Sequence, residues 1–384
     1  MEKFSRRSFL QATALAAGGP AALAAALPRE PRDPSGGPLV VHTTDLFRPY
    51  GDPDDHWDLA TQFALAYLDR LQLLAVMIDF PPAFRGKVDP DVAAVAQMSY
   101  LTGKAVPLVV GCPRKMRLRG DTLPDASPRE LGGVLSLVRV LRDAPRPVAL
   151  HVVGTTNDVA LAARREPRLF AEKCAAIYLN AGSGTTDPAL SRKLEFNVRL
   201  NPASYAAMFD LACPIYWLPC FEVADDFRAP AAYGSYYRFR HSDVLPHLSP
   251  SVQNYFLGMY HDGQKASREA GPRTRWLQSL LGPRDETVLA EESGRYRNMW
   301  STAGFFHTAG WTVLGDGQIV PLAEAGDRAV YEFQPVRVQA SDDGATQWQP
   351  ANGPTNRYLF HVRDTQKYAA AMTAALRSLL AVIP

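Results

Sequence analysis

Short apolar runs that alternate with stretches of helical spacing limit what this 384-residue chain can fold into. Pro38 to His42 is the first run, and a helical pattern follows from about Pro53 to Leu68. Leu71 to Ile78 leads to a helical pattern over Asp89 to Leu101. Val106 to Val110 comes next, then Ser127-Pro128-Arg129-Glu130, a capping-box layout that predicts a helix to about Leu141. Pro147 to Val153 precedes a helix over Asn157 to Arg165, and Cys174 to Leu179 and Cys213 to Leu218 continue the series of strands. Buried strands joined by amphipathic helices need right-handed crossovers. The fold class is therefore α/β, an open, mostly parallel sheet flanked by helices.

The rhythm breaks over residues 225 to 310, which are rich in Tyr, Arg, Pro and Gly, with helices expected near 249 to 260 and 296 to 309. Beyond Gly315 come β-like stretches, Ala329 to Val338 and Arg357 to Val362, and a closing helix from Thr365 to Leu380. No repeat divides the chain. The expectation is one domain, 38 to 384, with an elaborated C-terminal half.

The first 26 residues stand apart. Ser5-Arg6-Arg7-Ser8-Phe9-Leu10 precedes an Ala/Leu/Gly run to Ala26, the anatomy of an export signal of the twin-arginine type. The run is shorter than the roughly 20 residues a membrane span needs. Cleavage is expected near Ala26, with 27 to 37 as a linker, leaving a periplasmic or extracellular protein that meets the twin-arginine machinery and then no membrane. A net charge of +2 offers nothing to a nucleic acid. Cys112, Cys174, Cys213 and Cys220 form no disulfide scaffold, and Cys174 and Cys213 lie in apolar runs that bury thiols.

The chemistry concentrates in TTDLFRPYGDPDDHWDLA, residues 43 to 60, where Asp45, Asp52, Asp54, Asp55 and Asp58 crowd together. Two readings compete. Asp52 caps the helix, with Pro53 at its first position and Asp54 and Asp55 at its positive end. Alternatively, carboxylates that meet Asp45 at a strand end hold a hard cation. The cation reading accounts for Asp45; capping does not.

This stretch resembles the opening motif of the inosine–uridine-preferring nucleoside hydrolase family, in which a strand runs into a DTDPGxDD-like sequence. Thr44-Asp45 matches its first Thr-Asp and Asp54-Asp55 its later pair, across a longer loop. Gly154-Thr155-Thr156-Asn157, ending at Arg165-Glu166-Pro167, is similar to the family's GPLTN…EP segment. Glu195-Phe196-Asn197, with Asn201-Pro202, is similar to its EFN…DPEAA segment. The resemblance runs weakly, in order, from about Val40 to Ala207.

It implies one Ca²⁺ ion bound by Asp45, Asp54, Asp55 and the main-chain carbonyl of Asn157, with Asp55 the base for the attacking water. It implies ribose contacts from Glu195 and Asn197, a nucleoside or related glycoside as substrate, and a family that is often oligomeric.

Two departures matter. The family's late His-Asp pair is replaced by Met299-Trp300-Ser301, which leaves Asp79 and His307 as the candidate proton donors. Its Gly-Asn after the second strand is replaced by Ile78-Asp79, which puts Asp79 in place as a substrate contact or a further ligand. Hydrolysis of an N-glycoside needs an activated water on one face and help for the leaving group on the other. The alternative is a protein of the same fold that binds a sugar or nucleoside without turnover. The insert Tyr233 to His241 suits stacking on a flat ring or, equally, a hydrophobic cluster beneath a loop.

Overall fold

The computed structural model describes residues 27, 36–46, 54–79, 89–222, 231–258 and 280–384. The export signal, most of the linker and Asp52 lie outside the described residues.

Five strands carry the apolar runs of the first half. They are β1 (Leu39–Thr44), β2 (Gln72–Ile78), β3 (Leu108–Val110), β4 (Val148–Val152) and β5 (Cys174–Asn180). The second half adds β6 (Ile215–Leu218), β7 (Tyr237–Arg240), β8 (Tyr296–Met299), β9 (Trp311–Val313) and β10 (Ile319–Pro321). It ends with β11 (Tyr331–Ala340), β12 (Thr346–Pro350) and β13 (Arg357–Val362). One nine-stranded sheet runs in the order β12-β11-β13-β6-β5-β4-β1-β2-β3. From β3 to β13 every pairing is parallel, and β11 and β12 add an antiparallel edge. The expected mostly parallel sheet is therefore present.

Helices cover both faces because the parallel strands are apolar on both sides. On one face Val40, Val76 and Ile78 share a core with α1 (Asp54–Tyr67), α2 (Asp89–Thr102) and residues of the second half. On the other, Leu39, Val41, Ala75 and Met77 pack with α3 (Gly132–Asp143), α4 (Asn157–Arg165) and further helices. Successive strand residues point to opposite faces, so one strand feeds both cores. All four cysteines are buried free thiols. Among the described residues no helix is long and apolar enough to cross a membrane.

Two details differ from the sequence expectation, and a third decides between its alternatives. Ser127 and Glu130 form their reciprocal bonds, Ser127 N–H to Glu130 Oε2 at 2.7 Å and Glu130 N–H to Ser127 Oγ at 3.3 Å. They close only a turn, and α3 begins at Gly132. There Gly133 presses on the strand: a methyl group on it would lie 2.4 Å from the Val110 carbonyl oxygen.

Residues 296 to 309 are not one helix. Tyr296–Met299 pairs antiparallel with β7 in a two-stranded ribbon, and only Thr302–Thr308 is helical. The buried Arg297 and Met299 alternate with outward-facing neighbours, a period of two. Arg238 and Arg240 cover the Tyr296 ring, 4.0 and 4.4 Å from its centre.

The aromatic insert resolves largely into core. Phe239 meets Trp57 edge-on at 5.1 Å, and Trp57 stacks on Phe256 at 3.9 Å.

Candidate active site

The strand order reverses between β1 and β4, since β1 continues outward through β2 and β3 while β4 continues through β5 and β6. Ligands of open α/β sheets bind at such a switch point, beyond the carboxyl ends of the strands. Asp45 follows β1 there, Asp79 follows β2, Gly154 and Thr155 follow β4, and Asn180 ends β5.

Asp45 is fixed by α1. Its main-chain N–H donates to Asp55 Oδ2 at 2.9 Å, joining the strand end to the first helical turn. Beside it Leu46 adopts φ +30°, in the left-handed region that side chains avoid, and its N–H reaches Thr44 Oγ1 at 3.3 Å. Asp79 lies across the gap and accepts the N–H of Thr155 in a short bond. Gly154 makes that approach possible, because a methyl group there would sit 2.3 Å from Asp79 Oδ2 and 3.1 Å from the Asp45 nitrogen.

Asp54, Asp55 and Asp58 lie on one face of α1, as a spacing of three and four residues requires. One carboxylate oxygen from each lies within 4.8 Å of the others. Burial raises the Asp45 carboxyl well above its ordinary range, and the charges of Asp55, Asp79 and Asp54 raise it further. Burial also raises Asp55, against bonds from the Asp45 side chain, Thr44 and the Asp45 main chain. Burial and then Asp55 hold Asp58 well above its ordinary value. Without a counter-charge the group resists ionisation; a bound cation would reverse that.

The second expected cluster adjoins the first. Glu195 caps the short helix Phe196–Leu200, accepting the N–H of Asn197 at 2.8 Å, of Val198 at 3.4 Å and of Gly182 at 3.0 Å. Asn197 Nδ2 donates to the carbonyls of Val153 at 3.0 Å and Asn180 at 3.3 Å, which ties it to the ends of β4 and β5.

Asn157 is employed differently. Its Oδ1 accepts the N–H of Met116 and the Nδ2 of Asn201, both at 2.9 Å, and its Nδ2 donates to the Arg114 carbonyl at 3.0 Å. The side chain is thus committed, the Val153 carbonyl accepts from Asn197, and the Thr156 carbonyl accepts the Ala160 N–H at 2.9 Å.

His307 is not brought to the carboxylates. Its Nδ1 pairs with the Tyr178 hydroxyl at 2.8 Å, and its ring packs against Tyr216 and Phe333 on the face of the sheet. It lies six residues beyond Ser301, about 9 Å along the helix axis. Burial lowers its pKa to about 4.

Sequence reasoning passed over Asn180 and Ser301. Ser301 Oγ donates to Asn180 Oδ1 at 2.9 Å, and Asn180 Nδ2 donates to the Leu218 carbonyl at 2.9 Å and Ser235 Oγ at 3.1 Å. Trp300, half-buried, meets Phe221 and Tyr236 at ring distances of 5.9 and 5.7 Å.

A doubly wound sheet with carboxylates gathered at its switch point defines an α/β protein whose ligand site lies at the strand ends. No family model matches the chain. Over 206 residues it is 25% identical to the pyrimidine-specific ribonucleoside hydrolase RihA of Klebsiella pneumoniae (strain 342), covering 50% of this chain and 63% of the relative. The same protein of Enterobacter sp. (strain 638) is 26% identical over an equal length. The chain thus spans about 63% of the length of the curated relatives it matches.

Among solved structures, a plant nucleoside hydrolase, the PpNRh1 enzyme, aligns over 88% of this chain and 99% of its own, with TM-score 0.48 and 15% identity. The inosine-uridine preferring nucleoside hydrolase of Bacillus anthracis aligns over 89% and 99%, with TM-score 0.47 and 11% identity. Over those 206 residues the chain is similar to the two pyrimidine-specific ribonucleoside hydrolases.

Proposed function

We propose that this protein hydrolyses the N-glycosidic bond of nucleosides or related ribosides, and that Ca²⁺ is its resident cation. The observation that carries the reading is Asp45, bonded through its N–H to Asp55 and raised by the charges of Asp55, Asp79 and Asp54, at the switch point of the sheet. Carboxylates and main-chain carbonyls are an all-oxygen donor set, and Ca²⁺ takes roughly 6–8 such oxygens. The buried, mutually repelling carboxylates fit such an ion. When bound, it would lower the pKa of a coordinated water.

The protein's own groups do the rest. Asp55, held against the strand end by the Asp45 N–H at its Oδ2, is the carboxylate that receives the proton of the attacking water. Asp45 and Asp54 would hold the ion, with the main-chain carbonyl of Asn157. Asn197, anchored through its Nδ2, keeps Oδ1 for a sugar hydroxyl. Glu195 shapes the loop through its three main-chain bonds and offers its remaining lone pairs to the sugar, while Asp79 closes the opposite side.

His307 stays on the sheet face, so this reading assigns it no proton transfer. The substrates favoured are those whose base departs without an acid, stacked on the Phe221–Tyr236–Trp300 wall. The Arg6-Arg7 start supports export of the folded protein.

The test is release of reducing sugar from a panel of purine and pyrimidine nucleosides, with Ca²⁺ and with a chelator. Release that stops on chelation is the expected result. No release from any nucleoside while Ca²⁺ still binds would replace hydrolysis with binding alone.

A further inference from the structure

Asp58 is the carboxylate that the reading above leaves unused. It is fully buried on α1, and neither of its oxygens has a hydrogen-bond partner among the described residues. Ser301 is its polar neighbour across the gap. That hydroxyl is already donated to Asn180 Oδ1 at 2.9 Å, and Asn180 is itself held through two donated bonds. The Tyr237 hydroxyl, also near Asp58, is paired with Thr302 Oγ1 at 2.9 Å.

A carboxyl group buried without a partner costs several kcal/mol when ionised, and still leaves a donor and an acceptor unsatisfied when protonated. A helix position facing a core is ordinarily filled by an apolar side chain, as at Leu59 and Phe63 on the same helix. An aspartate that stands there with empty lone pairs beside two other carboxylates points to a ligand that accepts oxygen donors. One oxygen of Asp58 lies within 4.8 Å of one oxygen each of Asp54 and Asp55, a separation that a single ion can bridge. At Ca–O distances of about 2.3–2.6 Å, two ligand oxygens of one ion stand no more than about 5 Å apart.

We propose that Asp58 is a direct ligand of the cation, closing the site from α1 on the side where Ser301 and Asn180 face it. The inference rests on the cation reading given above. With Ser301 bonded to Asn180 and neither Asp58 oxygen partnered among the described residues, both oxygens are available to the ion.

The experiment is titration calorimetry with Ca²⁺ on the metal-stripped full chain, comparing the wild type with Asp58→Asn. Melting curves are recorded in chelator and in Ca²⁺. Loss of one direct ligand should weaken binding at least about 100-fold, the upper end of what even outer-shell changes produce. In chelator, Asp58→Asn should melt no lower than the wild type, because a buried repulsion is relieved. In Ca²⁺ it should gain less. Asp58→Ser, smaller and also neutral, should repeat the pattern and serves if the amide variant does not fold. A wild type that binds Ca²⁺ while both foldable variants bind it equally tightly would overturn the role of Asp58 and leave the cation reading standing. A wild type that binds no Ca²⁺ would overturn both.

Discussion

Asp45 donates its main-chain N–H to Oδ2 of Asp55 at 2.9 Å, although the two are 10 positions apart in sequence. The bond fixes the strand end against the first helical turn. Asp55→Asn keeps an acceptor for that N–H, so the local geometry should survive. The carboxylate that receives a proton is lost. Nucleoside hydrolysis should fall about 10²–10⁴-fold, the range that general-base catalysis supplies. The melting temperature in chelator should not fall, since a buried charge is removed. Loss of activity together with loss of the folded melt would instead make Asp55 structural.

Gly154 is tested by the space it leaves. A methyl group there would lie 2.3 Å from Asp79 Oδ2 and 3.1 Å from the Asp45 nitrogen, and both neighbours are fixed by the sheet. Gly154→Ala should cost about 1–3 kcal/mol of stability, the usual price of overpacking, read as a lower urea midpoint at unchanged slope. It should also reduce the rise in melting temperature that Ca²⁺ produces. An unchanged midpoint would mean that Asp79 is free to withdraw.

The sheet was legible because its strands are apolar on both faces and its helices carry a different period. The range Asn157–Arg165 falls where the periodicity placed it. The strand Thr346–Pro350 escaped notice because TQWQP has no apolar alternation; it is an edge strand that pairs only with β11. Tyr296–Met299 was misread as helix because its partner, Tyr237–Arg240, lies far away in sequence, and no local pattern records such a pairing.

In the site, Asp45 and Asp55 could be placed together from strand-end logic. Asp58 was visible at helical spacing from Asp54 and Asp55, but its isolation could not be read, since that depends on Ser301 and Asn180 engaging each other. The position of His307 was equally hidden. Which helical turn a histidine occupies is a matter of sequence, but whether that turn reaches the strand ends is a matter of tertiary packing.

Acid sensitivity should have two separable sources. The first is Asp121, a buried carboxylate that accepts the N–H of Arg117 at 3.0 Å and of Leu123 at 2.8 Å and pairs with the Arg117 guanidinium at 2.7 Å. These bonds, the guanidinium's first, hold its pKa well below the ordinary carboxylate value. The stability it supplies is complete above the unfolded-chain pKa near 4 and is lost as the pH falls below it. Asp121→Asn should cost about 1.5–3 kcal/mol at pH 7 and make the melting temperature less dependent on pH below 4.

The second source is His42, in the middle of β1, packed edge-on against Phe305 at 5.6 Å with neither ring nitrogen partnered among the described residues. Burial lowers its pKa to about 3 from an ordinary 6.5. Below pH 6.5 the unfolded chain takes up a proton that the folded chain refuses. The stability is therefore full above that pH and drains away as the pH falls toward 3, at up to about 1.4 kcal/mol per pH unit. His42→Leu removes one such proton and an unsatisfied buried N–H. At pH 7 the variant should be as stable as the wild type or more stable by about 1 kcal/mol. Its melting temperature should decline less steeply between pH 6.5 and 4. His56, His241 and His307, all lowered by burial to about 3 to 4, should still supply a residual slope in that window. A variant whose melting temperature declines as steeply as the wild type's would show that His42 is charged in the folded protein, with a partner in solution that satisfies its ring.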